Sequence, residues 1–161
     1  KGRADTDRRH RVVLAAGGQL PWLGLTGSAT LQYASSLPFN ITTGRDENVD
    51  GLTNDRPAGI GRNTGDDTPL GPINALRAKS GLPPIDRLTS QDFLQVDLRL
   101  ARPYHFGQAK TKGEWFMQVF NALDRGNVGL IEGRVTSRSF GQPLALAGPP
   151  RTLELGVRFG F

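Results

Sequence analysis

The last eleven residues, Arg-Thr-Leu-Glu-Leu-Gly-Val-Arg-Phe-Gly-Phe, constrain the fold more than any other stretch of this 161-residue chain. Leu153, Leu155, Val157, Phe159 and Phe161 alternate with Glu154, Gly156, Arg158 and Gly160. Successive side chains of a strand point to opposite faces, so this pattern gives one apolar face and one polar or small face. A helix would scatter both sets around its cylinder. A soluble half-buried sheet can carry the same alternation, and so can a strand that turns one face to lipid. The aromatic pair at the very end favours the second, because termini of soluble domains usually fray.

Four other segments read as strands. Arg9 to Leu20 carries Val12, Leu14, Ala16 and Leu20 on one parity. Leu25 to Ser35 alternates Leu25, Gly27, Ala29, Leu31 and Tyr33 with Thr26, Ser28, Thr30 and Gln32. Phe93 to Ala101 sets Leu94, Val96, Leu98 and Leu100 against Gln95, Asp97 and Arg99. Glu114 to Asn121 sets Trp115, Met117 and Val119 against Glu114, Phe116, Gln118 and Phe120. Each is about the length a tilted strand needs to cross a hydrocarbon core. In the Phe93 segment the charges stay off the apolar row, where each would cost a few kcal/mol (roughly 2–4) at a bilayer midplane.

Glycine (21 residues) and proline (11) are abundant, and only 37% of residues are hydrophobic, so this is not the composition of a compact soluble domain. No apolar run approaches the roughly 18 residues of a membrane helix, which leaves membrane strands open. Cysteine is absent, which removes thiolate metal sites and disulfides. The net charge of +5 raises nucleic acid as a partner. Arg8, Arg9 and Arg11 are the only dense basic cluster, and no aromatic platform adjoins the other cations, so no nucleic-acid partner is expected. The sequence opens at Lys1 without an initiator Met or an apolar leader, and is expected to be the C-terminal piece of a longer precursor.

The connections alternate in length. Pro21 to Gly24 is a tight turn and Arg102 to Gly113 is moderate, whereas Ser36 to Asp92 and Ala122 to Pro150 are long and turn-rich. Outer-membrane barrels pair short periplasmic turns with long extracellular loops. With Phe161 on the periplasmic side, parity sends both long connections outward. Trp22, Tyr104, Phe106, Trp115, Phe159 and Phe161 then fall at the periplasmic interface, and Tyr33, Phe39 and Phe120 at the outer one. Ordinary turn-flanking core aromatics remain the other reading of these rings. Pro72 to Ser80, followed by Gly81, reads as a short helix.

Several stretches resemble the C-terminal barrel of TonB-dependent outer-membrane receptors, in particular the Oar-like branch with a carboxypeptidase-regulatory-like domain. They are Asp7-Arg8-Arg9-His10-Arg11-Val12-Val13-Leu14, Leu37-Pro38-Phe39, Thr43-Gly44-Arg45-Asp46 through Asn54-Asp55-Arg56-Pro57, Asp97-Leu98-Arg99-Leu100, Val119-Phe120-Asn121, Phe140-Gly141-Gln142-Pro143 and the terminal strand. The set covers nearly the whole chain in the family's order. The chain departs from the family after Asn121, where Ala122-Leu123-Asp124-Arg125-Gly126 stands in place of the second aromatic-Asn pair that relatives often carry, and in a longer Thr64–Gln91 loop. The resemblance implies an all-β, antiparallel transmembrane barrel segment of about five C-terminal strands, spanning residues 1–161, from a barrel of about 22. It implies location in the bacterial outer membrane, contact with its lipid, an unidentified external ligand, and coupling to TonB through an N-terminal region and plug outside this sequence. Glu154, Gly156, Phe159 and Phe161 resemble the signal read by the barrel-assembly machinery.

One loop has metal-ligand spacing. Asp46, Asn48, Asp50 and Gly51 match the opening of a calcium loop, with Asp55 a candidate further ligand and Pro57 where the bidentate Glu belongs. A turn-rich loop built from Asx turns fits the half motif better, so calcium is the lesser reading and no other cofactor is expected. His10 and His105 lack partners at ligand spacing, and no catalytic set is identified. Gly59-Ile60-Gly61 joins no strand to a helix and is not a phosphate cradle. The rival to the barrel is a soluble, secreted β-sandwich that binds a ligand or calcium through its loops.

Overall fold

The computed structural model describes residues 2–88, 91–105 and 112–160. In chain order its strands are β1 (Arg11–Leu20), β2 (Leu25–Ala34), β3 (Phe93–His105), β4 (Lys112–Phe120), β5 (Val128–Ile131), β6 (Pro143–Leu146) and β7 (Thr152–Gly160). A helix, α1 (Leu70–Lys79), lies between β2 and β3 in the chain. The five alternating segments form one antiparallel sheet in the order β1-β2-β3-β4-β7, and β5 pairs with β6 in a separate hairpin. The chain gathers into two compact units, a sheet unit containing the five strands and a loop unit built from the long connections.

In the sheet unit, sequence order equals spatial order because each strand returns beside the one before it. The β1–β2 return is tight: Pro21–Leu23 makes a single 3₁₀ turn, and Gly24 follows at φ 62°, donating its N–H to the Pro21 carbonyl. That left-handed conformation favours glycine. Register runs without interruption, from Leu14 opposite Leu31 to Leu31 opposite Val96, and from Leu100 opposite Met117 to Met117 opposite Leu155. Strand β3 is longer than its alternation indicates, continuing through Arg102, Pro103, Tyr104 and His105. Its pairing with β2 stops at Ala101, so beyond that point β3 borders only β4. Proline is tolerated at such an edge.

The end of the sheet from which the long connections leave is fastened by asparagine. Asn127 accepts the Leu94 N–H on its Oδ1 and donates Nδ2 to the Leu94 carbonyl, so one side chain stands in for a strand neighbour. Asn121, buried and at φ 48°, donates to the Arg125 and Pro149 carbonyls, and its own N–H meets Asp97 Oδ1. Buried polar groups satisfied in this way fix the chain at little cost, whereas unsatisfied ones would destabilise it.

The loop unit has a core of its own: Phe39, Ile41, Ile73, Val128, Ile131, Val135 and Phe140, flanked by Ile60, Leu76, Ile85 and Leu88. Phe39 therefore does not serve as an interface ring; its side chain is buried in this core, a correction to the sequence reading. The long connections are likewise more than turns. Helix α1 begins two residues before the segment expected from Pro72 and ends through Gly81 at φ 69°, with the Leu82 N–H returning to the Arg77 carbonyl. Arg77 is buried, donates to the carbonyls of Pro83, Val135 and Ser137, and lies 5.6 Å from the Phe140 ring centroid. It ties the helix to residues almost 60 positions away.

Candidate functional site

The five-stranded sheet has two chemically opposed faces, and the register decides which residues share each. One face carries Val12 and Leu14 of β1, Leu31 of β2, Leu98 and Leu100 of β3, Met117 of β4, and Leu155 and Val157 of β7. Among the described residues of this face's strand rows the only charged one is Arg102. Arg102 sits directly opposite Trp115, near the end with the short connections, where Tyr104 and Phe159 also lie. The row is exposed along the edge strands, where Leu155 is 74% accessible, Leu14 60% and Leu153 59%, and half-buried at Leu31, Leu100 and Met117 of the central strands. Burying a leucine from water is worth about 1.5–3 kcal/mol, so an uncovered sheet face of this size marks an interaction surface.

The opposite face is polar and self-engaged. Arg99 forms an ion pair with Glu114 on the neighbouring strand, and its guanidinium lies 4.3 Å from the Phe116 ring centroid. Gln95 donates to Asp97 at 2.9 Å. The row Ser28, Arg99, Gln118, Glu154 runs across four strands in direct register.

Of the proposed assembly residues, Glu154, Gly156 and Phe159 lie on β7, and Phe161 falls outside the described residues, as does Phe106. Glu154 and Gly156 share the polar face, whereas Phe159 belongs to the apolar one. Gly156 lies opposite Phe116, whose ring fills the space a Cβ at 156 would need. Gly113 stands in the same relation to Tyr104. An aromatic ring laid over a cross-strand glycine covers the bare backbone and pins the register. Neither pair is visible in the sequence, because Phe116 and Gly156 become neighbours only when β4 and β7 are placed in register. Among the described residues β1 and β7 each pair on one side only, which leaves two sheet edges.

The calcium-like loop is brought together, but its oxygens face inward to the backbone. Asp46 accepts the N–H groups of Asp50 at 3.0 Å and Gly51 at 2.8 Å. Asp50 accepts the Leu52 N–H at 2.8 Å and the Asn48 side-chain amide at 3.0 Å. Asp55 accepts the N–H groups of Glu47 at 2.6 Å and Asn48 at 3.0 Å. The Asp50 bond to the Leu52 N–H is an Asx turn, and the Asp46 and Asp55 carboxylates cross-link the loop over longer spans through its backbone N–H groups. Among the described residues no three His, Asp or Glu side chains converge as a metal site. His10 and His105 are on different strands' flanks and do not meet.

Two further charge clusters stabilise the loop unit. Glu132 is buried and takes Arg134 through its Nη2 at 2.6 Å and its Nε at 3.0 Å. The hydrogen bond from Arg134 holds the Glu132 carboxyl below the usual carboxylate range, against the effect of burial, and raises Arg134 in turn. Asp5 takes the Asn63 side-chain amide at 2.6 Å and Arg62 at 3.1 Å, and these two partners, Asn63 foremost, likewise lower its carboxyl.

No helix among the described residues is long and apolar enough to cross a membrane, which says nothing of strands. No family model, curated protein or solved structure matches this chain.

Proposed function

We propose that the chain is the C-terminal barrel segment of a TonB-dependent receptor or transporter of the Oar-like branch, in the bacterial outer membrane. One observation carries the proposal: five adjacent strands keep an apolar row, exposed along β1 and β7, in register on one face and a polar row on the other. A ten-residue strand such as β1 is about 33 Å long, and a tilt of about 40° brings that to about 25 Å, the height of a barrel's apolar band. Arg102 beside Trp115 near one end is the arrangement expected at headgroup depth, where a guanidinium reaches phosphate and an indole lies at the interface.

In this reading the apolar row meets lipid, the polar row lines the barrel interior, and the long connections meet external ligand. Open edges are costly in lipid, so β1 and β7 would pair with further strands of the closed barrel. Glu154, Gly156, Phe159 and Phe161 would be read by the assembly machinery during insertion, and energy would arrive from TonB through a region not among these 161 residues. A soluble sandwich would need a second layer over the apolar row, and Leu155 has none among the described residues.

The test is spin labelling along β3 and β7 after reconstitution into phospholipid vesicles. Labels at Leu98 and Leu155 should be reached by dissolved oxygen and shielded from a water-soluble nickel chelate, with the reverse at Gln95 and Glu154. A chain that stays in solution without detergent, with no alternation between the two label sets, sinks the proposal. Assembly of the receptor is tested separately: deletion of Phe161 should impair it, and normal assembly would remove that residue's role.

A further inference from the structure

We propose that residues 2–7 are a movable strap of the loop unit, latched by Asp5 onto Arg62 and Asn63, which opens while the loop-unit core stays folded. The strap gates the space beside it, because Asp5 belongs to the walls of two cavities. The proposal does not depend on the receptor reading, since every contact it uses lies within the loop unit.

The strap is polar and holds itself in one piece. Its sequence, Gly-Arg-Ala-Asp-Thr-Asp, carries one apolar side chain, Ala4, which is exposed, as are Asp5 and Thr6. None of its residues joins the apolar core of the loop unit. The Asp7 N–H closes a turn on the Ala4 carbonyl at 3.1 Å, and Arg3 Nε reaches Asp7 Oδ2 at 3.1 Å. These bonds stay within the segment, so they survive when it moves.

Its bonds to the rest of the unit converge on two consecutive residues. Asn63 donates Nδ2 to the Arg3 carbonyl at 2.8 Å and to Asp5 Oδ1 at 2.6 Å. Arg62 Nη2 reaches both Asp5 oxygens at 3.1 Å. Gly2 lies against the Arg62 backbone, where a Cβ would come within 2.7 Å of the carbonyl oxygen. The dock is firm where the strap is not: Asn63 is 2% exposed, and its N–H bonds Asn40 Oδ1 at 3.3 Å. The Asp5–Arg62 pair is exposed on both sides, and such pairs are weak because water and salt compete for each charge. Opening therefore returns polar groups to water and uncovers no apolar core, which puts it among the low-cost motions of a fold.

The latch stands between two cavities. One, of about 430 Å³, is walled on its apolar side by Phe39, Leu130 and Ile131. The other, of about 700 Å³, is polar and includes Asn54 and Arg56. Among the described residues only Asp5 and Asn40 are common to both walls. Lifting Asp5 removes one of those two residues, widens the way between the cavities and bares the Asn63 amide to solvent.

The experiment follows the full chain in detergent micelles at neutral pH, by hydrogen exchange and by the distance between nitroxides at Ala4 and at exposed Ala75 of α1. The wild type should give one dominant closed distance. Asp5→Ala should raise the open population roughly fivefold or more, the worth of a modest hydrogen bond. Arg62→Gln and added salt should raise it in the same direction. Exchange at the Asn63 N–H should quicken in Asp5→Ala by a similar factor, while the Val135 N–H, which bonds the Thr42 carbonyl, keeps its rate. Thr6→Ala, a strap residue outside the latch contacts, should change neither readout. An unchanged distance in Asp5→Ala overturns the proposal, as does a wild type without a closed population. Joint loss of protection at Asn63 and Val135 also overturns it, because strap and core would then open as one body.

Discussion

The Phe116 ring lies against Gly156 on the adjacent strand, in the volume that any larger residue at 156 would claim. The same ring has Arg99 against it at 4.3 Å, so glycine, aromatic and guanidinium form a short stack across β3, β4 and β7. Gly156→Ala should destabilise the sheet by about 1–3 kcal/mol through overpacking, read as a lower urea midpoint of tryptophan fluorescence. Trp22 and Trp115 both report on this unit. The double variant Gly156→Ala/Phe116→Ala should lose less than the sum of the single changes, because the clash disappears with the ring. Additive losses would mean that the two residues do not constrain each other.

A charge placed on either sheet face should have opposite consequences. Leu155→Arg puts a guanidinium on the apolar row and should weaken vesicle insertion by roughly 2–4 kcal/mol if that position lies near the bilayer midplane. Gln118→Arg adds the same charge to the polar row, beside Glu154, and should insert as the parent does. Equal loss in both variants would contradict a lipid-facing row.

Arg77 is expected to be the most sensitive position of the loop unit. Its replacement by Ala leaves three carbonyls without their donor in a buried site and should cost on the order of 3 kcal/mol. Hydrogen exchange at the Val135 N–H, which bonds the Thr42 carbonyl, gives the readout. Arg77→Lys should recover only part of the loss, since one ammonium cannot reproduce the fork geometry. Unchanged exchange in Arg77→Ala would show that the contacts are dispensable.

Acid should loosen the loop unit through Glu132. Its carboxyl titrates below the ordinary range in the folded chain, so the unfolded state binds the proton more readily. The stabilisation is therefore complete above the ordinary glutamate range and is lost as pH falls through the lowered folded value. Asp5 contributes with the same sign. Exchange protection in wild type and Glu132→Gln should differ at pH 7 and converge below the folded Glu132 value. A constant difference across that range would remove Glu132 as the cause.

The strands were legible because period-2 alternation survives any tertiary context that keeps one face apolar. Gln95, Asp97 and Arg99 against Leu94, Val96, Leu98 and Leu100 identify β3 without a partner strand. Its extension past Ala101 was not legible, since Arg102-Pro103 reads as a break until the end of β2 shows that position to be an edge. The loop-unit core was hidden for another reason. Phe39, Ile41, Ile73 and Val135 stand singly among glycines, prolines and polar residues, with no period to link them. Hairpin β5–β6 has strands of only four residues each and irregular register, too short for alternation to declare itself.

The separate core of the loop unit has an evolutionary consequence. Segments that pack around their own Phe140, Ile73 and Val135 can exchange surface residues while the apolar contacts among them persist. Distant, independent positions change stability nearly additively, so a new surface there leaves the alternation of the five strands unselected against. Under the proposed receptor role, recognition and anchoring would fall to different parts of this chain, and descendants of the sequence could diversify what they meet without relearning how to hold their place.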